Sequence, residues 1–117
     1  MSILESLQAR KQQGIKSIAV LVDPDKVDDP SRLKYLCDLV SENCVDFFFV
    51  GGSLITTGNL STVISTIREH VSIPVVLFPG SAQQVDPGAD GILFLSLISG
   101  RNPEYLIGQH VLAAPLL

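Results

Sequence analysis

The chain has 117 residues, 46% of them hydrophobic and 17% charged. That is one domain, too apolar to be disordered and too short for a whole (β/α)8 barrel of about 250 residues. Eight basic against twelve acidic residues, net −4, give no basic surface for nucleic acid, and no apolar run reaches the roughly 18 residues of a membrane span.

The first fourteen residues lack the apolar core of a signal peptide. A cytoplasmic protein is therefore expected, with Cys37 and Cys44 reduced. Their spacing of seven puts both on one helical face, as core residues and not metal ligands.

Ser2 and Glu5 form a possible capping box for a short helix carrying Ile3, Leu4 and Leu7, with Gly14 as its stop. Ser17 to Val22 is a continuous apolar run, expected as a strand buried on both faces, and it ends in Asp23-Pro24-Asp25-Lys26. Asp29 and Pro30 read as N-cap and first position of a helix striped by Leu33, Leu36, Cys37, Val40 and Cys44. Asp46 to Val50 is a second strand ending in Gly51-Gly52-Ser53. A helix with Leu60, Val63, Ile64, Ile67 and Val71 follows, then a third strand from Ile73 to Phe78 ending in Pro79-Gly80. Gly91 to Leu95 is a fourth strand. Asn102 and Pro103 cap a last helix bearing Leu106, Ile107, His110, Val111 and Ala114.

Strands alternating with helices predict a parallel sheet with right-handed crossovers. The loops after the strands then share the C-terminal edge, where such folds place their sites. The connection from Pro79 to Asp90 holds only twelve residues, two of them Gly and two Pro. It has room for about two helical turns at most. It is either a plain short link or the place of a missing outer helix, which would leave an apolar groove. Four strands make half a (β/α)8 barrel, so residues 1–117 are expected to be the N-terminal half of one barrel domain. Two free strand edges and the apolar run after Val111 point to a longer protein or to assembly with another chain, and a homo-oligomer is expected.

Several loop residues carry possible chemistry. Asp23 and Asp25 suit Mg²⁺, which takes one or two carboxylates plus waters and phosphates. An Asx turn explains the same three residues equally well. Gly51 and Gly52 let backbone amides approach a phosphate, and Ser53 offers a hydroxyl to metal or phosphate; an ordinary turn is the alternative. Pro79, Gly80, Arg101 and Asn102 lie on the same edge. Arg101 is a phosphate contact or a solvated loop charge. His110 reads as a core or groove histidine. His70 reads as a favourable charge at a helix C-terminus.

Five stretches occur in order: Leu21 to Lys26, Phe49 to Ser53, Ile73 to Gly80, Ala89 to Phe94 and Ser99 to Val111. Together they resemble the N-terminal half of the geranylgeranylglyceryl phosphate synthase family, the PcrB-like prenyltransferases. The resemblance implies a TIM barrel without a regular third outer helix. It also implies Mg²⁺-dependent transfer of a prenyl group from prenyl diphosphate to sn-glycerol 1-phosphate, in ether phospholipid synthesis. Asp23 matches the family's Mg²⁺-binding aspartate, and Ser53 the hydroxyl beside it. The prenyl chain would run through the groove left by the short connection, with Ala113 and Ala114 helping to set its depth. Many members have Lys two places before the aspartate, where this chain has Leu21. The resemblance places the glycerol-phosphate site and the general base in the later half, so no catalytic base is assigned within these residues. A non-catalytic half-barrel that binds Mg²⁺-diphosphate or a partner chain is the alternative. The long match ending at Val111 argues against another kind of phosphate-binding barrel, such as a sugar-phosphate isomerase.

Overall fold

The computed structural model describes residues 2–27, 29–52, 60–79 and 85–93. Helix α1 spans Ile3–Gln12 and opens on the expected capping box: Ser2 N–H donates to Glu5 Oε2 at 2.7 Å and Glu5 N–H to Ser2 Oγ at 3.2 Å. It closes in a Schellman motif. Ile15 N–H donates to the Arg10 carbonyl and Gly14 N–H to that of Lys11, with Gly14 at φ +70°. Strand β1 (Ala19–Val22) leads into a 3-10 turn at Pro24–Lys26. Helix α2 (Pro30–Glu42) starts at Asp29, whose carboxylate accepts from Ser31 N–H at 2.9 Å, as Asp29-Pro30 implies. Strand β2 (Phe47–Val50), helix α3 (Leu60–His70), strand β3 (Val75–Leu77) and strand β4 (Gly91–Ile92) follow. At the end of α3, His70 Nδ1 lies 2.7 Å from the Thr66 carbonyl.

The strands form one parallel sheet in the order β1-β2-β3-β4, with Val22 beside Val50 and Val50 beside Leu77. Sequential parallel order is what a partial (β/α) barrel requires. The core lies between the sheet and α2 and α3. Val22, Phe48, Val50, Val75 and Leu77 meet Leu33, Cys37, Val40, Val63, Ile64 and Ile67 there, all buried. Burial, reinforced by Asp38, pushes the Cys37 thiol up, as suits an inert core cysteine.

Three expectations need correction. Strand β1 is not buried on both faces: Ala19 and Leu21 are exposed, while Val20 and Val22 turn toward the helices. Side chains alternate across a strand, and β1 is an edge strand among the described residues, so its second face is open. Leu21 is 55% exposed for that reason. Second, α2 ends at Glu42, so Cys44 lies in the following turn and is exposed, not on the core stripe with Cys37. Third, β1, β2 and β3 are shorter than the runs read from the sequence, although Ile18, Pro74 and Phe78 beside them still share backbone hydrogen bonds with the neighbouring strand. The connection before β4 agrees with the sequence reading: its described part, Val85–Asp90, holds no helix. The last helix, with His110, Ala113 and Ala114, falls outside the described residues.

The same clamp occurs twice at the N-terminal end of the sheet. Asp46, just before β2, donates its N–H to the Ile18 carbonyl and accepts from Ile18 N–H at 2.8 Å. Its other oxygen pairs with Arg10 of α1 at 2.8 Å. Asp90, just before β4, does the same with Val75, at 2.8 Å for both bonds, and pairs with Arg68 of α3 at 2.6 Å. Each clamp locks the register of one parallel pair, β1/β2 or β3/β4. A one-residue slip would turn every side chain to the wrong face.

Burial pushes the Asp90 carboxyl up, but hydrogen bonds from Arg68 and the Val75 amide, with the Arg68 charge, hold it below its ordinary 3.8. Asp90→Ala leaves the Val75 amide without its partner and is expected to cost about 1–3 kcal/mol at pH 7. The folded-state value is depressed, so the stabilisation is present above the ordinary value and fades as pH falls through the folded one. Urea unfolding should therefore show a gap between wild type and Asp90→Asn that narrows below pH 3.8. A gap that stays constant into acid would contradict the clamp.

Candidate functional site

The C-terminal edge of β1 and β2 is built by short-range rules. Asp23 caps the 3-10 turn, and its Oδ1 accepts from Asp25 N–H at 3.0 Å. Pro24 is buried and anchors the turn. The Asx turn, which the sequence offered as one of two explanations, is thus present. It leaves Asp23 half-buried, with its carboxylate turned onto the neighbouring loop. A Cβ at Gly52 would stand 2.8 Å from Asp23 Oδ2 and 2.9 Å from its Cγ. Glycine at 52 is therefore what lets the carboxylate rest against the backbone after β2. Gly51 is tighter still: a Cβ there would meet the Phe78 carbonyl oxygen at 2.0 Å. The Phe49 and Phe78 rings stack nearby with centroids 6.0 Å apart.

Asp23, Lys26, Gly51 and Gly52 line one cleft of about 480 Å³, with Leu21 and Leu36 among its apolar walls. Asp25 stands on the adjoining turn and Pro79 at the end of β3 on the same edge. The structure thus brings Asp23, Gly51 and Gly52 together, while Pro79 does not line that cleft. Ser53, Gly80, Arg101 and Asn102 lie outside the described residues. Lys26 was given no role by the sequence reading. Its signal was the spacing of three from Asp23, one turn of a 3-10 helix, which returns it to the same side. Leu21 places an apolar side chain at the cleft, so Lys26 is the cation that lines it.

The donor set fits a magnesium ion held in the usual phosphate-dependent way. No group of three or more His, Cys, Asp or Glu side chains gathers among the described residues, which rules out an all-protein cage there. Mg²⁺ needs no such cage: one or two carboxylates, waters and phosphate oxygens suffice. Asp23, whose Oδ1 accepts from Asp25 N–H, brings a carboxylate to the cleft.

A second cleft, about 300 Å³, lies beside β3 and β4. Leu77 and Ile92 of the sheet line it with Val85, Pro87 and Ala89 of the connection, and Asp86 and Asp90 line it as well. A larger one, about 690 Å³, lies at the N-terminal end around Ser2, Arg68 and Asp90. Its charges are already engaged in the Asp90 clamp, and that end of a barrel serves stability. The cleft at Asp23 lies at the C-terminal edge, whereas the one beside β3 and β4 reaches from Leu77 and Ile92 to Asp90.

A parallel sheet in sequential order with helices packed against it is a partial (β/α) barrel. The PcrB family pattern matches residues 10–116, and the chain belongs to the PcrB family. It is 52% identical over 113 residues to the geranylgeranylglyceryl phosphate synthase of Chitinophaga pinensis, covering 97% of this chain and 44% of that protein. The synthase of Spirosoma linguale is 52% identical over 111 residues, covering 95% and 44%. The crystal structure of (S)-3-O-geranylgeranylglyceryl phosphate synthase from Thermoplasma acidophilum, in complex with its substrate sn-glycerol-1-phosphate, superposes with a TM-score of 0.87. Identity is 32%, over 99% of this chain and 47% of that one. The chain spans under half the length of these relatives. No helix among the described residues is long and apolar enough to cross a membrane.

Proposed function

We propose that this chain forms the metal and prenyl-diphosphate side of a Mg²⁺-dependent prenyltransferase that moves a prenyl group to sn-glycerol 1-phosphate. The observation that supports it most is the Asp23 carboxylate held against Gly52 in a cleft shared with Lys26. The named relatives and the glycerol-phosphate complex of one of them supply the substrate class.

In the reaction, the bond between the allylic carbon and the diphosphate oxygen breaks and the diphosphate leaves with the electron pair. The glycerol hydroxyl oxygen bonds to that carbon and gives up its proton. Bound Mg²⁺ supplies charge neutralisation for the leaving diphosphate. Asp23 would hold the ion, with Ser53 as the second protein ligand in this reading. Backbone amides near Gly51 and Gly52 and the Lys26 ammonium orient the phosphates. The cleft of Leu77, Val85, Pro87, Ala89 and Ile92, which Asp86 and Asp90 also line, seats part of the prenyl chain and excludes water from the developing cation. The proton acceptor is placed by the family resemblance in the later half of the barrel. In the same reading the enzyme works in the cytoplasm as a homo-oligomer.

The experiment is product formation by the natural full-length protein from prenyl diphosphate, sn-glycerol 1-phosphate and Mg²⁺. Prenylglyceryl phosphate is expected; diphosphate binding without any turnover would favour the non-catalytic alternative. A companion variant, Lys26→Met, is expected to weaken Mg²⁺-pyrophosphate binding about threefold to tenfold, less at high salt, as for an exposed charge on an anion. Calorimetric titration at two ionic strengths checks it. Unchanged affinity at low salt would remove Lys26 from the site.

A further inference from the structure

The described segment before β4, residues 85–90, is strapped to α3 at two points. Asp90 joins Arg68 near the helix's C-terminus. Asp86 accepts a hydrogen bond from the Ser61 hydroxyl in the first helical turn. Ser61 and Arg68 are seven residues apart, about 10.5 Å along a helix axis, and Asp86 and Asp90 span that distance in the same direction. The middle of the strap also follows the helix: a Cβ at Gly88 would stand 3.5 Å from Ile64 Cγ2. The cleft beside β3 and β4 is lined by this strap and the sheet, with Val85, Asp86, Pro87, Ala89 and Asp90 coming from the strap itself.

The two fasteners are not equivalent. Asp90 also holds the Val75 amide and so belongs to the foot of the sheet. Among the described residues, the Asp86 carboxylate accepts from the Ser61 hydroxyl and, at 2.8 Å, from Gly88 N–H of its own turn. The first turn of α3 has no acidic residue of its own, so the Asp86 carboxylate supplies the favourable negative charge there from outside the helix. Ser61 begins the helix that follows the Gly51-Gly52 loop. Its fastener therefore stands at the end of the cleft toward the C-terminal edge, where the diphosphate would sit.

We propose that Asp86, latched to Ser61, is a positioning residue that fixes the strap wall of the cleft beside β3 and β4 and so sets discrimination among prenyl chains. The inference rests on the proposed prenyl transfer and adds a residue that determines its specificity. With the latch closed, the wall is fixed before the chain enters. With it open, the wall must be ordered by each substrate, and chains of different length are accommodated more equally.

The test uses the natural full-length protein and compares kcat/KM for farnesyl and geranylgeranyl diphosphate. In Ser61→Ala the ratio between the two is expected to shrink about threefold or more, the scale of one net hydrogen bond. The change should come through KM for the prenyl substrate, with KM for glycerol phosphate and the melting temperature nearly unchanged. Ser61→Thr keeps the hydroxyl and should restore the ratio, and Asp86→Asn, which still accepts, should fall between. An unchanged ratio in Ser61→Ala, or an equal loss in Ser61→Thr, in an active enzyme overturns the latch alone. A wild-type protein that transfers no prenyl group at all overturns the reaction, and this role with it.

Discussion

Gly51→Ala is expected to destabilise the fold by at least about 3 kcal/mol, the upper range for overpacking, or to prevent folding. The new methyl group would sit 2.0 Å from the Phe78 carbonyl oxygen and 2.6 Å from its carbon. That carbonyl cannot retreat cheaply. Phe78 N–H donates to Val50 at 2.8 Å, its ring stacks on Phe49, and Leu93 N–H ties the adjacent Leu77 carbonyl to the next strand. The backbone at Gly51 also has φ +156°, which side-chain-bearing residues rarely adopt. Gly14→Ala is the fitting control. There φ is +70° but nothing lies within 4 Å, so only the left-handed backbone cost of roughly 1–2 kcal/mol remains. Urea midpoints of the two variants should differ clearly. Equal midpoints would mean that β2 and β3 are not packed as closely at this edge as described.

The elements that local chemistry dictates were legible in the residues. Ser2 with Glu5, Asp29 with Pro30, and Gly14 each act within a few positions, and each does in the structure what the pattern implied. The alternation of apolar runs and helical stripes likewise gave the parallel order of strands. What stayed hidden depends on partners far along the chain. Arg10 and Asp46 are unremarkable as letters, and only the pairing of β1 with β2 makes them a clamp. Asp86 and Ser61, twenty-five positions apart, meet only because the strap follows α3. The exposed side of β1 was unreadable for a related reason. An apolar run looks the same whether its second face is covered or open. At the site, the Asp-Pro-Asp turn supported two explanations, and the structure shows the Asx turn: Oδ1 of Asp23 takes the Asx bond, while Oδ2 lies beside Gly52.

That division of labour makes Asp23→Asn the most informative change at the site. Asparagine has nearly the same shape, and its amide oxygen can still accept from Asp25 N–H, so the turn and the contact with Gly52 should persist. The charge that would hold Mg²⁺ does not persist. Loss of one group that stabilises developing charge typically costs about 100- to 1000-fold in kcat. A fall of that size is expected here, with a higher Mg²⁺ concentration needed for half-maximal rate. Thermal unfolding should change little, which separates this loss from the folding defect of Gly51→Ala.

The measurement that bears most directly on the whole account is the Mg²⁺ dependence of prenylglyceryl phosphate formation, taken side by side for the natural full-length protein and its Asp23→Asn variant. The account predicts Mg²⁺-dependent product from the wild type, and a rate lower by at least about 100-fold in the variant with a displaced Mg²⁺ curve. Equal rates and superimposable Mg²⁺ curves for the two proteins would contradict it.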